Sequence, residues 1–419
     1  MNVLVVGAGL AGLSAAWHLA AAGVTVTVVE AREGVALETS FANGGMLTPS
    51  MADPWNHPGV LGKLLRWLGR QDAPIVVRWS VLPALWRWGL LFLKNSSSKK
   101  HSYHTMLNMR LAHYSLITLS KLAEHLPSTF ELAKKGTIKL FSDRTELNYF
   151  HRIAHAYEQE GLRFPLLSAN QLESLEPCLA GSAGQFAGSL FYPNDQSGDA
   201  HLFCRSLAHG CEAKGVQFHF NAPITKLNVK KGRLVGVSGT LGDIRCDACV
   251  LAAGATSPML TQDLGFHLPL QPVKGYSITL EGQQALYPER PLIDDHYHVA
   301  ITPLGSRLRI AGTAELAGFD KTLVAQRINL LRDYVSRLLP DVTVPTNFDD
   351  CQAWAGLRPM TPDGIPLLGK TPIQGLYLNS GHGHLGWTGA AGSGQLIADL
   401  VLKRSPMIMT EPYALSRFH

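Results

Sequence analysis

The spacing of apolar residues changes several times along the chain, and each change marks an element. Residues 3–6 form a continuous apolar run and 24–29 a β-branched one, so both read as strands, while the small and apolar residues of 11–22 recur at helical spacing. Residues 43–60, rich in Gly, Pro and polar side chains, read as a long ordered loop. Helices are expected over 103–135 and 144–161, with 95–101 as a solvated connector between elements, and strands dominate from about 185. Over 215–254 apolar and polar positions alternate, with turns at Lys231-Gly232 and Leu241-Gly242, and the stretch closes on an apolar strand running into Ala253 and Gly254. Segments around 272–280 and 298–315 read as sheet covered by an amphipathic helix over 320–339. The C-terminal region gives a strand, a glycine-rich turn from Gly381 to Gly386 and a helix of small residues. The class is α/β, with no internal repeat.

Glycine placement adds chemistry to this pattern. Gly7, Gly9 and Gly12, with Ala8, Leu10 and Ala11 between them, fit G-x-G-x-x-G at a strand-to-helix turn. In that motif the first glycine makes the tight turn, the second lets backbone approach a pyrophosphate, and the third lets helix and strand pack closely. Glu30, followed by Ala31 and Arg32, ends the second strand, where its carboxylate would meet a ribose hydroxyl. The motif alone leaves FAD and NAD both open. A second strand, glycine turn and helix more than 350 residues later suggests a long cofactor gripped at both ends. N–H groups from Gly383 to Gly386 would favour a reduced flavin ring, which points to FAD. An NAD-dependent dehydrogenase would leave that turn without a role.

Composition narrows the class further. The chain has 419 residues, 46% hydrophobic and 16% charged, with 40 glycines, which excludes a mainly disordered protein. Its 37 basic and 32 acidic residues give a net charge of +5 without a basic patch, so nucleic-acid binding is not indicated. Six cysteines do not suggest a disulfide framework, and Cys246 and Cys249 lie on a strand, where packing is favoured over redox chemistry. No metal site is expected. The chain shows neither a secretory signal nor about 18 uninterrupted apolar residues, so a cytoplasmic setting is expected. One stretch stands apart: residues 55–93 hold five of the eight tryptophans, interleaved with Arg66, Arg70, Arg78 and Arg87. This mixture suits peripheral contact with a membrane surface, or helices packed on the protein with snorkelling side chains.

The ordered series GAGLAGLSAAWHLA, VVEAR, ETSFANGGMLTP, PVKGYSIT, RIAGTAELAGFD, WAGLRPMTPDGIPLLG and NSGHGHLGWT resembles the D-amino acid dehydrogenase group of the D-amino acid oxidase-like flavoenzymes, over nearly the whole chain. The resemblance implies a Rossmann-like FAD-binding domain assembled from discontinuous segments, 1–50, 165–260 and 350–419. It also implies an antiparallel-sheet α+β substrate domain from 51–164 and 261–349. It further implies oxidative deamination of D-amino acids to 2-oxo acids and ammonia by hydride transfer from Cα to flavin N5, with electrons passed to a quinone or another acceptor, often at the inner face of the bacterial inner membrane. Ser40, Asn43, Gly44, Gly45, Met46 and the adjoining Leu47 would lie by the cofactor, as would Ile224, Ala253 and Gly254. The stretch from Gly383 through His384, Leu385 and Gly386 to Thr388 would contact the ring.

Candidate catalytic residues follow from what the reaction requires. A substrate carboxylate must be clamped, and the planar fork of Arg358 suits that task; pairing with Asp363 or backbone carbonyls is its structural alternative. Tyr276 could donate a hydroxyl to the same carboxylate or cover the ring, with Tyr297 a weaker candidate of the same kind, or these could be tyrosines satisfied elsewhere. The substrate amine must lose a proton, which His384 or His382 could accept, with water as the competing acceptor. Two neighbouring readings stay open: glycine, sarcosine or hydroxyproline oxidation on the same scaffold, and a membrane-associated flavin-binding subunit of a larger oxidoreductase.

Overall fold

The computed structural model describes residues 1–67, 69–70, 73–158 and 164–418. Leu68, Gln71 and Asp72 of the tryptophan-arginine stretch, and the last residues of the helix expected over 144–161, lie outside the described residues.

Two large sheets share the chain. In the first, strands Asn2–Val6, Thr25–Val29, Gln217–His219, Ala248–Leu251 and Leu376–Ser380 run parallel, and Leu367–Lys370 closes one edge antiparallel. Asn2–Val6 sits in the interior between Thr25–Val29 and Ala248–Leu251. Both faces of this strand are covered, which is why it reads as an uninterrupted apolar run. Helix Leu10–Ala21 follows the first glycine turn and helix Gly386–Val401 the last, and the two pack on each other. Gly394 makes that packing possible, because a Cβ there would meet Ser14 at 2.5–2.6 Å, while a Cβ on Gly392 would meet Ser115 of helix Ser98–Ala123 at 2.9–3.0 Å. The small residues of the C-terminal helix are therefore a packing requirement as well as a motif.

The second sheet is mainly antiparallel and has nine strands among the described residues, with Gln271–Glu281 between Trp354–Met360 and Arg307–Leu316. Helix Ala325–Leu338 covers it through Ile328, Leu331 and Val335, within the expected 320–339. A three-stranded antiparallel meander, Ile224–Lys230, Arg233–Gly239 and Gly242–Arg245, turns where Lys231-Gly232 and Leu241-Gly242 were expected to turn it.

Several boundaries differ from the sequence reading. The helix expected over 103–135 spans Ser98–Ala123, so the connector at 95–101 is shortened, His101 is buried inside the helix, and strand Thr137–Phe141 follows. Helix Ala200–Ala213 interrupts the region read as strands, started by Asp199, whose carboxylate accepts from the N–H groups of His201 and Leu202 at 2.8 and 3.0 Å. Sheet membership does not follow the expected segment limits. Leu166–Leu167, Gly188–Tyr192 and Trp354–Met360 all pair in the second sheet. Helix Ser98–Ala123 instead packs its Leu107, Leu111 and Leu119 into the core around the first sheet. Side chains decide these allegiances across distances that local pattern does not encode.

Candidate active site

A cavity of about 2170 Å³ runs between the two sheets. One end is bordered by the turn after Asn2–Val6. Gly7 adopts φ +105° and its Cβ would come 2.6 Å from the Ala252 carbonyl oxygen, while a Cβ on Gly12 would overlap the Gly7 carbonyl. Gly9 differs from both: a Cβ there would meet only the Ser40 hydroxyl, at 3.3 Å, so this glycine keeps space clear on the cavity side. Gly9, Leu10 and Ala11 line the cavity, and the first-turn N–H groups lack intrahelical acceptors. One is already used, since the Leu10 N–H donates to Ser40 Oγ at 3.2 Å.

Glu30 also lines the cavity and accepts from the N–H groups of Ala8 and Arg32 at 2.7 and 3.0 Å. A carboxylate has lone pairs for about four donors, so two remain for hydroxyls. Ala31, Arg32, Ser40, Asn43, Gly44, Gly45, Met46, Ile224, Ala253 and Gly254 border the same space.

Six expected residues do not. Ala8 and Gly12 serve the turn, and Leu47 and Leu385 are buried in packing. Thr388 Oγ1 accepts from the Thr48 N–H at 3.0 Å, pinning the 43–60 loop to the C-terminal helix. Tyr297 is 41% exposed, with its ring against Tyr334 and under Arg337, 4.5 Å from the guanidinium carbon.

The other end gathers side chains. Arg358 lines the cavity half-buried, and its Nη1 donates to the Thr313 carbonyl at 3.3 Å. No carboxylate pairs with it among the described residues. Asp363, its alternative partner by sequence, instead binds Arg417 at 2.7 Å. Burial pushes the Arg358 guanidinium down to about 10, which leaves it charged at neutral pH. Trp55 stacks on His384 with ring centroids 5.8 Å apart and lies 6.0 Å from the Arg358 guanidinium carbon. His384 Nε2 bonds the Met51 carbonyl at 2.9 Å. A carbonyl only accepts, so Nε2 carries the proton, and burial, which lowers the imidazole's pKa, favours the neutral ring with Nδ1 as its acceptor. His382 is more enclosed; its Nε2 bonds Ser393 Oγ at 2.9 Å, and burial pushes it down to about 4.

Tyr276 borders the cavity, but its single O–H donates to Glu315, the satisfied-tyrosine alternative. Glu315 also takes Arg78 and Lys274. These donors outweigh the cost of its burial and hold its carboxyl below the usual range. The hydroxyl is thus not free to donate to a carboxylate.

Asp195 carries no sequence motif that would single it out. It lines the cavity, accepts from Ser50 and Thr137, and is pushed up to about 6 by burial against the pull of those donors. Among the described residues no group of three His, Cys, Asp or Glu is placed to hold a metal. The six cysteines are free, and burial raises the thiols of Cys246, to about 11, and Cys249.

The cavity fits an extended dinucleotide with a second polar end. Besides its volume and the clearance at Gly9, four lining residues have buried polar atoms without a partner among the described residues: His101 Nε2, Thr313 Oγ1, Asn379 Oδ1 and Trp387 Nε1. Asn379 Nδ2 donates to the Ala11 carbonyl at 2.9 Å, tying the C-terminal strand to the first helix.

Comparison with known proteins agrees with this geometry. The FAD dependent oxidoreductase (DAO) family matches residues 2–400. The chain is 44% identical to a D-amino acid dehydrogenase of Paramagnetospirillum magneticum, over 100% of this chain and 99% of that one. It is 40% identical to another from Rhizorhabdus wittichii over the whole of both chains. Among solved structures, a glycine oxidase from Geobacillus kaustophilus superposes with a TM-score of 0.77 at 23% identity, covering 99% of this chain and 98% of that one. An L-proline dehydrogenase from P. horikoshii gives 0.75 at 18%, covering 100% and 97%. At such identities the structural likeness speaks for the fold.

Proposed function

The chain belongs to the FAD dependent oxidoreductase family, and on that premise we propose that it oxidises D-amino acids to imino acids, which water hydrolyses to 2-oxo acids and ammonia. FAD, when bound, supplies the acceptor for two electrons. The chain's own residues bind and orient the substrate. Arg358 takes the carboxylate through two parallel N–H donors, and Trp55 limits where the rest of the molecule can lie. His384 offers Nδ1 to the substrate nitrogen, where it accepts a hydrogen bond and the proton lost as the amine becomes neutral. Gly9, Glu30 and Ser40 would hold the nucleotide, and the Gly383–Gly386 turn the ring.

One observation carries this reading: a guanidinium without a carboxylate partner among the described residues faces the same cavity as a glycine turn cleared for a dinucleotide. Arg358→Ala tests it. Loss of a charged bidentate contact of about 3 kcal/mol raises KM for D-amino acids roughly a hundredfold, with flavin content kept. Unchanged steady-state kinetics would remove Arg358 from the substrate.

For the electron acceptor we infer a membrane quinone, reached through peripheral lipid contact by part of 55–93. In helix Leu82–Lys94 and the turn before it, Trp79, Trp86 and Leu90 are 65%, 58% and 62% exposed, and Arg87 stands 5.0 Å over the Trp86 ring. Exposed indole beside arginine favours the headgroup region of an anionic bilayer. Trp55 and Trp88 are not part of that face, because Trp55 lines the cavity and Trp88 donates to the Met360 carbonyl at 3.1 Å. Among the described residues no helix is long and apolar enough to cross a membrane. Flotation with phosphatidylglycerol vesicles tests the contact; a Trp79→Ser/Trp86→Ser variant that floats as well as the parent would contradict it.

A further inference from the structure

Arg358 reaches its position through a vacancy in one strand and an extra residue in another. On one side of Gln271–Glu281, Lys274 is in register with Glu315 and Tyr276 with Gly312, so Gly275 alone faces both Thr313 and Ala314. This is a β-bulge, a device that locally re-aims the chain. On the other side Gly275 is in register with Gly356, two residues before Arg358. A Cβ on Gly275 would overlap Nη1, Cζ and Nη2 of Arg358, so the guanidinium occupies the volume that any other residue at 275 would fill.

The bulge supplies the second half. Thr313 has φ +55°, a conformation that β-branched residues rarely adopt. Both sides of this residue are tied: its N–H donates to the His298 carbonyl at 3.1 Å and its carbonyl accepts from Arg358 at 3.3 Å. Its own hydroxyl is buried with no partner among the described residues. A strained threonine with an unsatisfied hydroxyl is a poor choice for stability alone, and it stands where its carbonyl meets the clamp.

We propose that Gly275 and Thr313 are positioning residues that form a cradle for Arg358, Gly275 by leaving room for the guanidinium and Thr313 by fixing the carbonyl that orients it. This rests on Arg358 being the carboxylate clamp. The cradle acts before substrate arrives, holding a long side chain whose rotamer freedom would otherwise be lost on binding.

The test compares Gly275→Ala, Thr313→Gly and Arg358→Ala as FAD-loaded enzymes. Three readouts are needed: KM and kcat for D-alanine, the Kd of acetate followed by its perturbation of the flavin absorption, and Tm. In Gly275→Ala the overlapped atoms are the movable end of a side chain, so Tm should stay within about 2 °C while KM and the acetate Kd rise about tenfold and kcat stays within about threefold. Thr313→Gly relaxes the strain, so Tm should be equal or higher, yet KM and the acetate Kd should still rise about threefold. If Arg358→Ala weakens acetate but Gly275→Ala binds it like the parent, the cradle is overturned and the clamp stands. If Arg358→Ala itself leaves acetate binding unchanged, the clamp reading fails instead. Should Gly275→Ala not fold, Thr313→Gly decides: parental KM and acetate affinity would overturn the proposal.

Discussion

Near Gly9 the cavity is walled largely by main chain, with first-turn N–H groups, the Ala252–Gly254 strand end and the carboxylate of Glu30. Near Arg358 it is walled by side chains brought from distant segments, Trp55, Arg358 and His384, and Asp195, bonded to Ser50, lines the same cavity. Backbone donors are in place as soon as the turn forms and are insensitive to most substitutions. Side-chain donors depend on what packs behind them, and here even the backbone behind Arg358 is strained. A nucleotide end built from peptide groups can therefore be shared widely, while the substrate end can be retuned residue by residue.

The largest effect that would test this contrast comes from the glycines themselves. Gly12→Ala drives a methyl group into the Gly7 carbonyl, and should abolish soluble folded protein. Gly9→Val should fold, because only the Ser40 hydroxyl stands near, yet should purify colourless; a yellow Gly9→Val enzyme would break the assignment of this end to the nucleotide.

A smaller effect is expected from pH at the other end. His382 titrates near 4 in the fold and near 6.5 when unfolded, so its neutral form contributes stability fully above pH 6.5 that is lost as pH falls toward 4. His382 alone should account for about 2 kcal/mol of any stability lost between pH 7.5 and pH 5, so in urea unfolding His382→Gln should lose that much less than the parent over the same interval. The smallest effect is at Tyr297. Tyr297→Phe should leave KM and kcat within about twofold, because the residue lies outside the cavity; a large change would extend the substrate end beyond the walls described.

The same contrast explains what could be read from sequence. Gly7, Gly9, Gly12 and Glu30 sit at fixed intervals because one local turn imposes them, and the C-terminal glycine turn announces itself in the same way. Arg358 was legible as chemistry, a fork-shaped cation in a loop-rich motif, but its cradle was not, since Gly275 and Thr313 meet it only through strand register. The surroundings of Tyr276 and Tyr297 were hidden for a related reason: no local pattern reveals that Glu315 takes one hydroxyl or that Arg337 covers the other ring. Asp195 was hidden because a buried acid held by Ser50 and Thr137 has no characteristic spacing.

The contact of Gly394 with Ser14 leaves no slack between the helices that follow the two glycine turns, and Gly392 sets the same limit against Ser115 of helix Ser98–Ala123. Together they form a keel, and anything bulkier at Gly394 would wedge the two cofactor-gripping turns apart. An engineer seeking room for larger substrates would have to rebuild the roof, where Trp55 and the turn around Met51 lie, and leave the keel untouched.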